Sequence, residues 1–336
     1  MKKLNLKNLL FPFGISVLLF SCKVPDFLPS GNMKSHQVAT NPGPEDIVLD
    51  TISSANPRII ISCDTRRTQE KSGSIQAMDV NSEKVMDLPR IGEPERLVFH
   101  PHGIDLVKLS DGSIKLYVVN HNEAEKEQSI LIYQLKDNQL IFEKQLIDKS
   151  IASPNDVTGT PDGTIYFSNE FHKRNASLSA ILGLKTGYFV SWNGKEFTKR
   201  EEGFCYANSM AIYENNMYTT GSRNRFLYKS SQVFGAKSKK KKFAKIPGAD
   251  NISIANNKAY VACHVNLFKF LKHVDSKENK TPTVIYEIDL KTAKKRVFYV
   301  NIDGQINGAS TAIYFQGRLY LSQIFEPYLL VVDGLK

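Results

Sequence analysis

The chain has 336 residues, 41% of them hydrophobic, and a formal net charge of +10 at pH 7. This length is ample for a buried core. The positive charge raises the possibility of nucleic-acid binding, but the lysines and arginines are scattered apart from the run KSKKKK at 237–242. Such a run favours a solvated loop or contact with an anionic membrane or surface glycan, so we predict no nucleic-acid partner.

The N-terminus has the features of an export signal. Lys2, Lys3 and Lys7 precede an apolar run from 9 to 20, which is shorter than the ~20 helical residues that span a bilayer and fits the core of a secretory signal. The run ends LLFSC, which resembles a bacterial lipobox, although Phe20 is larger than the residue usual there. The alternative is an ordinary signal peptide with a chance cysteine.

The lipobox predicts three things about the N-terminal region. Residues 1–21 are expected to be a lipoprotein signal peptide, Cys22 the lipidated residue, and 22–40 a tether. The protein is then exported and anchored to a membrane of the bacterial cell envelope through Cys22.

The other three cysteines are Cys63, Cys205 and Cys263. Three cysteines allow at most one disulfide among them. Each lies in an apolar run, so we interpret them mainly as small buried apolar residues.

A segment with one pattern recurs along the chain at intervals of about 50 residues. Each copy has a polar or small pair, a short apolar strand, a turn and a second strand rich in Ile, Tyr and Val. The copies start at 44, 101, 154, 207, 249 and 309, with anchor residues Glu45, His102, Asn155, Asn208, Asn251 and Ser310. This period matches one four-stranded propeller blade.

Further strand pairs between these segments supply the outer strands of the blades. Examples are SILIYQL with LIFEKQL, and TPTVIYEIDL with KRVFYVNI. NASLSAILGL at 175–184 predicts a short helix, and no long amphipathic helical pattern competes. The sequence therefore predicts an all-β, six-bladed β-propeller as one domain over residues 41–336, with the polar pairs at one end of a central channel.

The converging pairs are mostly carboxylates and carboxamides, which are the hard oxygen ligands that Ca²⁺ accepts. Zinc would require His and Cys at closer spacing. Because successive strand residues face opposite ways, Asn155 and Asp156 are expected to serve two different ions. For any single pair the alternative is turn chemistry, since Asn and Asp favour strand starts. Several pairs in phase with the repeat favour metal.

Six short motifs, in order, carry a family resemblance: FHPHGID, YVVNH, SPNDV, GFCYANSMAI, ADNISI and VACH. Together they resemble the serum paraoxonase and arylesterase family from about residue 41 to the C-terminus. The resemblance implies a six-bladed propeller with two calcium ions in its channel, one catalytic and one structural. It also implies hydrolysis of lactones and aryl esters, and in some members of organophosphates.

The resemblance assigns roles residue by residue. The catalytic calcium would be held by Glu45, Asn155, Asn208, Asp250 and Asn251, and the structural calcium by Asp46, Asp156 and the backbone carbonyl of Ile104. His102 matches the proposed general base, His121 its partner, His264 a channel histidine and Tyr206 an aromatic pocket-wall residue. Asp250 is a second candidate for activating water.

The sequence departs from the family pattern in two respects. No cysteine follows Cys263, so the family's disulfide between the chain ends is absent, and closure of the ring is expected from pairing between 41–50 and 328–334. Thr65 and Arg67 fall where the family has apolar and aromatic wall residues, which bears on substrate range.

The function expected on these grounds is a monomeric, calcium-dependent hydrolase acting on a small lactone or ester. Two alternatives stay open. One is another propeller enzyme of the gluconolactonase or strictosidine-synthase-like group, and the other is a non-catalytic surface-binding propeller that keeps calcium for stability.

Overall fold

The computed structural model of the chain describes residues 23–26, 33–68, 72–122, 127–172, 182–231 and 239–335. Within these residues the strands form six sheets. The first strand of each sheet contacts the first strands of its two neighbours, and these contacts close into a ring. The predicted six-bladed β-propeller is therefore confirmed.

Each blade is an antiparallel meander, with one short parallel edge strand added to blade 2. Blade 1 contains β2 (Pro44–Asp50), β3 (Arg58–Cys63), β4 (Ser74–Asp79) and β5 (Val85–Asp87). Blade 2 contains β7 (Pro101–Lys108), β8 (Ile114–Asn122), β9 (Glu127–Lys136) and β10 (Gln139–Leu146), with β6 (Arg90–Ile91) at its edge. Blade 3 contains β11 (Pro154–Gly159), β12 (Ile165–Asn169), β13 (Gly187–Trp192) and β14 (Phe197–Phe204).

The second half of the chain repeats this arrangement. Blade 4 contains β15 (Ala207–Tyr213), β16 (Asn216–Gly221), β17 (Phe226–Ser231) and β18 (Lys241–Lys245). Blade 5 contains β19 (Ala249–Ala255), β20 (Lys258–Cys263), β21 (Thr283–Asp289) and β22 (Lys295–Asn301), with helix α1 (Leu267–Asp275) between its second and third strands. Blade 6 contains β23 (Ala309–Phe315), β24 (Arg318–Gln323), β25 (Tyr328–Asp333) and β1 (Lys34–Ala39).

The hydrophobic core lies between neighbouring blades. Ile60 of blade 1 clusters with Leu116 and Val118 of blade 2, and Leu227 of blade 4 clusters with Val261 of blade 5. The second strand of each blade is buried on both faces, which explains why these strands read as continuous runs of Ile, Val, Tyr and Phe.

Ring closure differs from the expectation. β25 pairs with β1, in a register from Lys34↔Asp333 to Ala39↔Tyr328, so the predicted pairing between 41–50 and 328–334 was wrong. Pro44–Asp50 is instead the innermost strand of blade 1. β1 lies inside the segment assigned to the tether. Its sequence KSHQVA is mostly exposed and has little strand signal, but it covers the edge of β25, which would otherwise present unpaired backbone groups.

The structure also bears on the predictions for the three cysteines, the short helix and the basic run. Cys63, Cys205 and Cys263 are buried, as predicted, and no disulfide joins them. Most of the helix predicted at 175–184 lies outside the described residues. Of the basic run, residues 237 and 238 also lie outside them, while Lys241 and Lys242 begin β18 with exposed side chains.

Helix α1 was not predicted. It begins after Asn266, whose side-chain oxygen accepts from the backbone N–H of Lys269, a standard N-cap. At nine residues it is too short to give a strong periodic signal. In the part of the chain that the structure describes, no helix has the length and apolarity needed to cross a membrane.

Candidate active site

The polar pairs sit in β-bulges at the start of the innermost strands. In blade 3, Pro154 pairs with Asn169 and Val157 with Phe167. Between these two pairs β11 advances by three residues and β12 by only two, so β11 has one extra residue. The same break in register occurs in the first strand of the other five blades. A bulge inserts one residue and redirects the local side chains. Both members of a pair can therefore serve the channel, which a regular strand would not allow.

The register corrects one anchor. Ala249 pairs with Cys263 and Ile252 with Val261, so Asp250, not Asn251, is in phase with Asn155. We call the first residues of the pairs the first layer: Glu45, His102, Asn155, Asn208, Asp250 and Ser310. We call the second residues the second layer: Asp46, Gly103, Asp156, Ser209, Asn251 and Thr311.

A third set of residues lies at the end of the second strand of each blade or directly after it, and four of them contact the first layer. The pairs are His102 Nδ1 to His121 Nε2 at 2.8 Å, Asn155 Nδ2 to Glu170 Oε1 at 2.8 Å, Asn208 Nδ2 to Ser222 Oγ at 3.2 Å, and Asp250 Oδ2 to His264 Nε2 at 2.7 Å. Glu170 and Ser222 were missed from the sequence. Their signal was present, because they hold the same repeat position as His121 and His264.

The two histidines of blade 2 form a chain that starts at Gln128. Gln128 Oε1 accepts from His121 Nδ1, so His121 Nε2 is free to accept from His102 Nδ1. This arrangement leaves a lone pair on His102 Nε2, which lies 3.2 Å from Glu45 Oε1. Burial and the nearby charge of Arg66 lower the pKa of His102 well below its usual range. A neutral His102 can accept a proton at neutral pH.

The channel contains oxygens that the protein leaves without partners. Glu45 Oε2 and Asn208 Oδ1 of the first layer and Asn251 Oδ1 of the second layer are buried and have no hydrogen-bond partner. Unpaired buried acceptors are costly, and their convergence in one channel suits an oxygen-seeking cation. Among the described residues no three His, Cys, Asp or Glu side chains alone form a metal cluster, so the amide oxygens are needed to complete a ligand set. The residues present fit calcium.

The pKa of Glu45 shows the effect of burial and of the charges around it. Burial raises the pKa of Glu45 to about 8, the charge of Arg66 opposes this rise, and the charge of Asp250 adds to it. Asp250 Oδ1 accepts from Asn208 Nδ2 at 2.7 Å. The first layer therefore concentrates negative charge that a divalent cation would neutralise.

The second layer differs because its carboxylates are saturated with hydrogen bonds. Asp46 accepts from the N–H groups of Ile47 and Ile104 and from Thr311 Oγ1, all within 2.9 Å. Asp156 accepts from the N–H groups of Val157 and Met210 and from Ser209 Oγ.

These two aspartates also affect each other. Burial and the charge of Glu45 raise the pKa of Asp46 to about 8, and burial and the charge of Asp46 raise that of Asp156 well above its usual range. Two carboxylates so placed require either protons or a cation.

Gly103 explains how blades 2 and 3 approach closely at this level. A Cβ at this position would lie 2.6 Å from the carbonyl oxygen of Asn155 and 2.6 Å from Cα of Asp156. Only glycine permits this contact, and the next residue, Ile104, donates its N–H to Asp46 of blade 1 on the other side.

The remaining predicted pocket residues lie around the first layer. Tyr206 makes an edge-to-face contact with Phe171, with ring centroids 5.2 Å apart. Glu170 is buried, and its pKa is raised to about 7 against the hydrogen bonds from Tyr206, Asn155 and Ser153. The ring of His264 lies 4.0 Å from that of Phe270, centroid to centroid, so helix α1 forms part of the wall beside blade 5.

Of the two residues flagged as departures, Arg67 does not face the channel as a wall residue. Its guanidinium donates to Glu326 Oε1 at 2.9 Å and to the carbonyls of His273 and Val274, and it lies 4.0 Å above the ring of Phe325. Arg67 therefore links blade 1 to helix α1 and blade 6. Thr65 has a buried hydroxyl without a partner.

Comparison with known proteins identifies the family. A family model described as Arylesterase matches residues 65–331. The chain belongs to the arylesterase family. It is 23% identical over 274 residues to human serum paraoxonase/lactonase 3, covering 77% of each chain. It is 25% identical over 272 residues to human serum paraoxonase/arylesterase 1, covering 76% of each.

Solved structures agree on the fold of this arylesterase-family chain. A gluconolactonase from Xanthomonas campestris superposes with a TM-score of 0.59 at 13% identity, covering 91% of both chains. A calcium-binding protein, regucalcin, from Agrobacterium tumefaciens superposes with a TM-score of 0.56 at 13% identity, covering 91% of this chain and 94% of that one. At this identity the likeness concerns the fold alone.

Proposed function

We propose that the protein is a calcium-dependent hydrolase of lactones and aryl esters. The family and the names of its relatives, which include lactonase and arylesterase, support this reaction class. The observation that carries the proposal is the arrangement in the first layer, where unpartnered buried oxygens lie beside a histidine chain that ends at His102 Nε2, 3.2 Å from Glu45 Oε1. A cation bound by these oxygens and a histidine base are the two groups that the attack of water on an ester carbonyl requires.

Two calcium ions are proposed, one held mainly by the first layer with Asn251 of the second layer as a further ligand, and one held at the level of the second layer. The first would be held by Glu45, Asn155, Asn208, Asp250 and Asn251, and the second by Asp46, Asp156 and the carbonyl of Ile104. When bound, the first ion would polarise the ester carbonyl and offset the negative charge that develops on its oxygen.

His102 is the proposed general base. Its Nε2 takes a proton from the attacking water, and the resulting imidazolium is stabilised by Glu45 at 3.2 Å. His121 accepts from His102 Nδ1–H and holds the imidazole in the required tautomer, and Gln128 does the same for His121. The proton held on His102 Nε2 can then pass to the leaving alkoxide or phenoxide.

Asp250 and His264 form a second acid–base pair in the channel, 2.7 Å apart. Asp250 is the alternative site for water activation. We assign His264 and Tyr206 to the substrate pocket, because His264 bonds to Asp250 and Tyr206 hydrogen-bonds to Glu170, which in turn accepts from Asn155.

The test is turnover of phenyl acetate and of a γ- or δ-lactone by the purified protein, with and without a chelator. Hydrolysis of both, lost in chelator and restored by calcium, is expected. Turnover of a sugar lactone alone would favour the gluconolactonase-like alternative. No turnover by calcium-loaded, folded protein would favour a binding propeller.

We further propose that the protein is a monomeric lipoprotein of the bacterial cell envelope. Lipidation at Cys22 would anchor it to a membrane, and substitution Cys22→Ser should release it or leave it unprocessed. Fractionation of the wild-type protein into the soluble pool would contradict this placement.

A further inference from the structure

The loop after β3 carries a feature that the proposed mechanism does not use. Arg66 reaches from blade 1 to blade 2, where Nη2 donates to the carbonyl of Pro101, the residue before His102. Beside it, Asp64 Oδ1 bonds to His100 Nδ1 at 2.9 Å. The Arg66 guanidinium therefore lies close enough to the proposed base for its charge to lower the pKa of His102.

Most donors of Arg66 are unused. A guanidinium has five N–H donors, but the only hydrogen bond that Arg66 donates within the described residues is the one to Pro101. Asp64 Oδ2, at 3.5 Å from Nη1, makes an ion pair without a hydrogen bond. Arg66 Nε is buried and has no acceptor, and only 11% of the side chain is exposed. The buried hydroxyl of Thr65 also lacks a partner.

Arg67 shows what a structural arginine looks like in the same loop. Its Nε, Nη1 and Nη2 all have acceptors, and its face covers Phe325. Arg66 is more enclosed, with 11% of its side chain exposed against 28% for Arg67, but lacks the acceptors. Since buried unpaired donors cost free energy, the arrangement at Arg66 and Thr65 is suited to a ligand that supplies lone pairs.

We propose that Arg66, assisted by Thr65, binds a carboxylate of the substrate and makes the enzyme selective for lactones and aryl esters that carry a negative charge. The planar guanidinium matches a carboxylate through two parallel hydrogen bonds. The proposal rests on the proposed hydrolase function and adds the substrate class.

The test uses two esters that differ in charge, 4-acetoxybenzoate and its methyl ester. Arg66→Gln should lower kcat/KM for the carboxylate by on the order of 10–100-fold more than for the methyl ester, the range for a lost charge-assisted hydrogen bond, because any effect of the lost charge on His102 is shared by both esters. Arg66→Lys should fall between. Arg67→Gln removes the same formal charge one residue away and should not change the ratio of the two substrates.

A binding measurement separates this proposal from the hydrolase function. Calorimetric titration with 4-hydroxybenzoate should show binding to the wild type and binding at least tenfold weaker to Arg66→Gln. If neither ester is hydrolysed, the proposed function fails while this titration still decides the role of Arg66. Equal effects of Arg66→Gln on both esters, or unchanged binding of 4-hydroxybenzoate, would overturn the proposal. If Arg66→Gln does not fold, the same comparison of the charged and neutral esters is made with Arg66→Lys and Thr65→Val.

Discussion

The two layers of the channel are built from adjacent residues of the same bulges, yet their polar groups are satisfied differently. In the first layer, buried oxygens of Glu45 and Asn208 have no protein partner. In the second layer, Asp46 and Asp156 each accept at least three hydrogen bonds within blades and across them. The first layer therefore has buried oxygens available for an exchangeable ligand. The carboxylates of the second layer hydrogen-bond to neighbouring strands and so link the blades.

This difference separates activity from stability within one channel. A change in the first layer should reduce catalysis while the ring stays intact, because few protein contacts are lost. A change in the second layer should reduce stability, because backbone N–H groups of neighbouring strands lose their acceptor. Four variants or conditions test this separation.

The largest effect on activity is expected for His102→Gln. Loss of a general base typically costs ~10²–10⁴ in rate, with the most effect on lactones and the least on esters with good leaving groups. The melting temperature should change little. The measurement is kcat/KM on one lactone and one aryl ester, with His36→Gln, an exposed histidine of β1, as control. Near-wild-type lactone turnover would mean that His102 is structural or that lactones are not the substrate.

Asn208→Ala should have the next largest effect on activity. It removes one proposed calcium ligand, and losing a comparable donor to a developing oxyanion costs ~10²–10³ in rate. The loss should be alike for lactones and aryl esters, which distinguishes it from His102→Gln. An unchanged kcat/KM of Asn208→Ala on both substrates would exclude Asn208 from the first calcium site.

Asp156→Ala should act mainly on stability. It leaves Ser209 Oγ–H and the N–H groups of Val157 and Met210 without an acceptor, which should cost on the order of 3 kcal/mol or more. Asp156→Asn keeps an acceptor and the volume, so in chelator it should be much less destabilising. Chemical denaturation with chelator present measures both variants. Equal destabilisation of the two would show that charge, not hydrogen bonding, dominates this layer.

The smallest expected effect is a pH dependence of the metal-free protein. The pKa values of Glu45 and Asp46 are raised to about 8 in the folded state, above those of unfolded carboxyls, so the folded state holds protons that the unfolded chain releases. Their stabilisation is complete below pH ~4 and is lost as the pH rises through about 8. In chelator the melting temperature should fall from pH 5.5 to 8, and saturating calcium should reduce the fall. A rise over this range in chelator would contradict the assignment.

The sequence predicted the blade count because each blade repeats one strand–turn–strand pattern. It did not predict β1, since a strand of polar residues at the outer edge of a blade has no apolar alternation. It misplaced one anchor, taking Asn251 for Asp250, because both residues of that pair are polar and only the strand register shows which one is in phase with Asn155. Glu170 and Ser222 were accessible from the repeat, whereas the link from Gln128 to His121 depends on the pairing of β8 with β9 and has no local signature.

Calcium titration of the chelated protein tests the separation of the two layers most directly, with activity on phenyl acetate and melting temperature recorded on the same samples. We expect two ions per chain, with stability rising as the second-layer ion binds and activity appearing only as the first-layer ion binds. In Asn208→Ala the stability phase should persist while the activity phase weakens. Full activity in excess chelator, or activity and stability that rise together with a single ion in both proteins, would contradict the account.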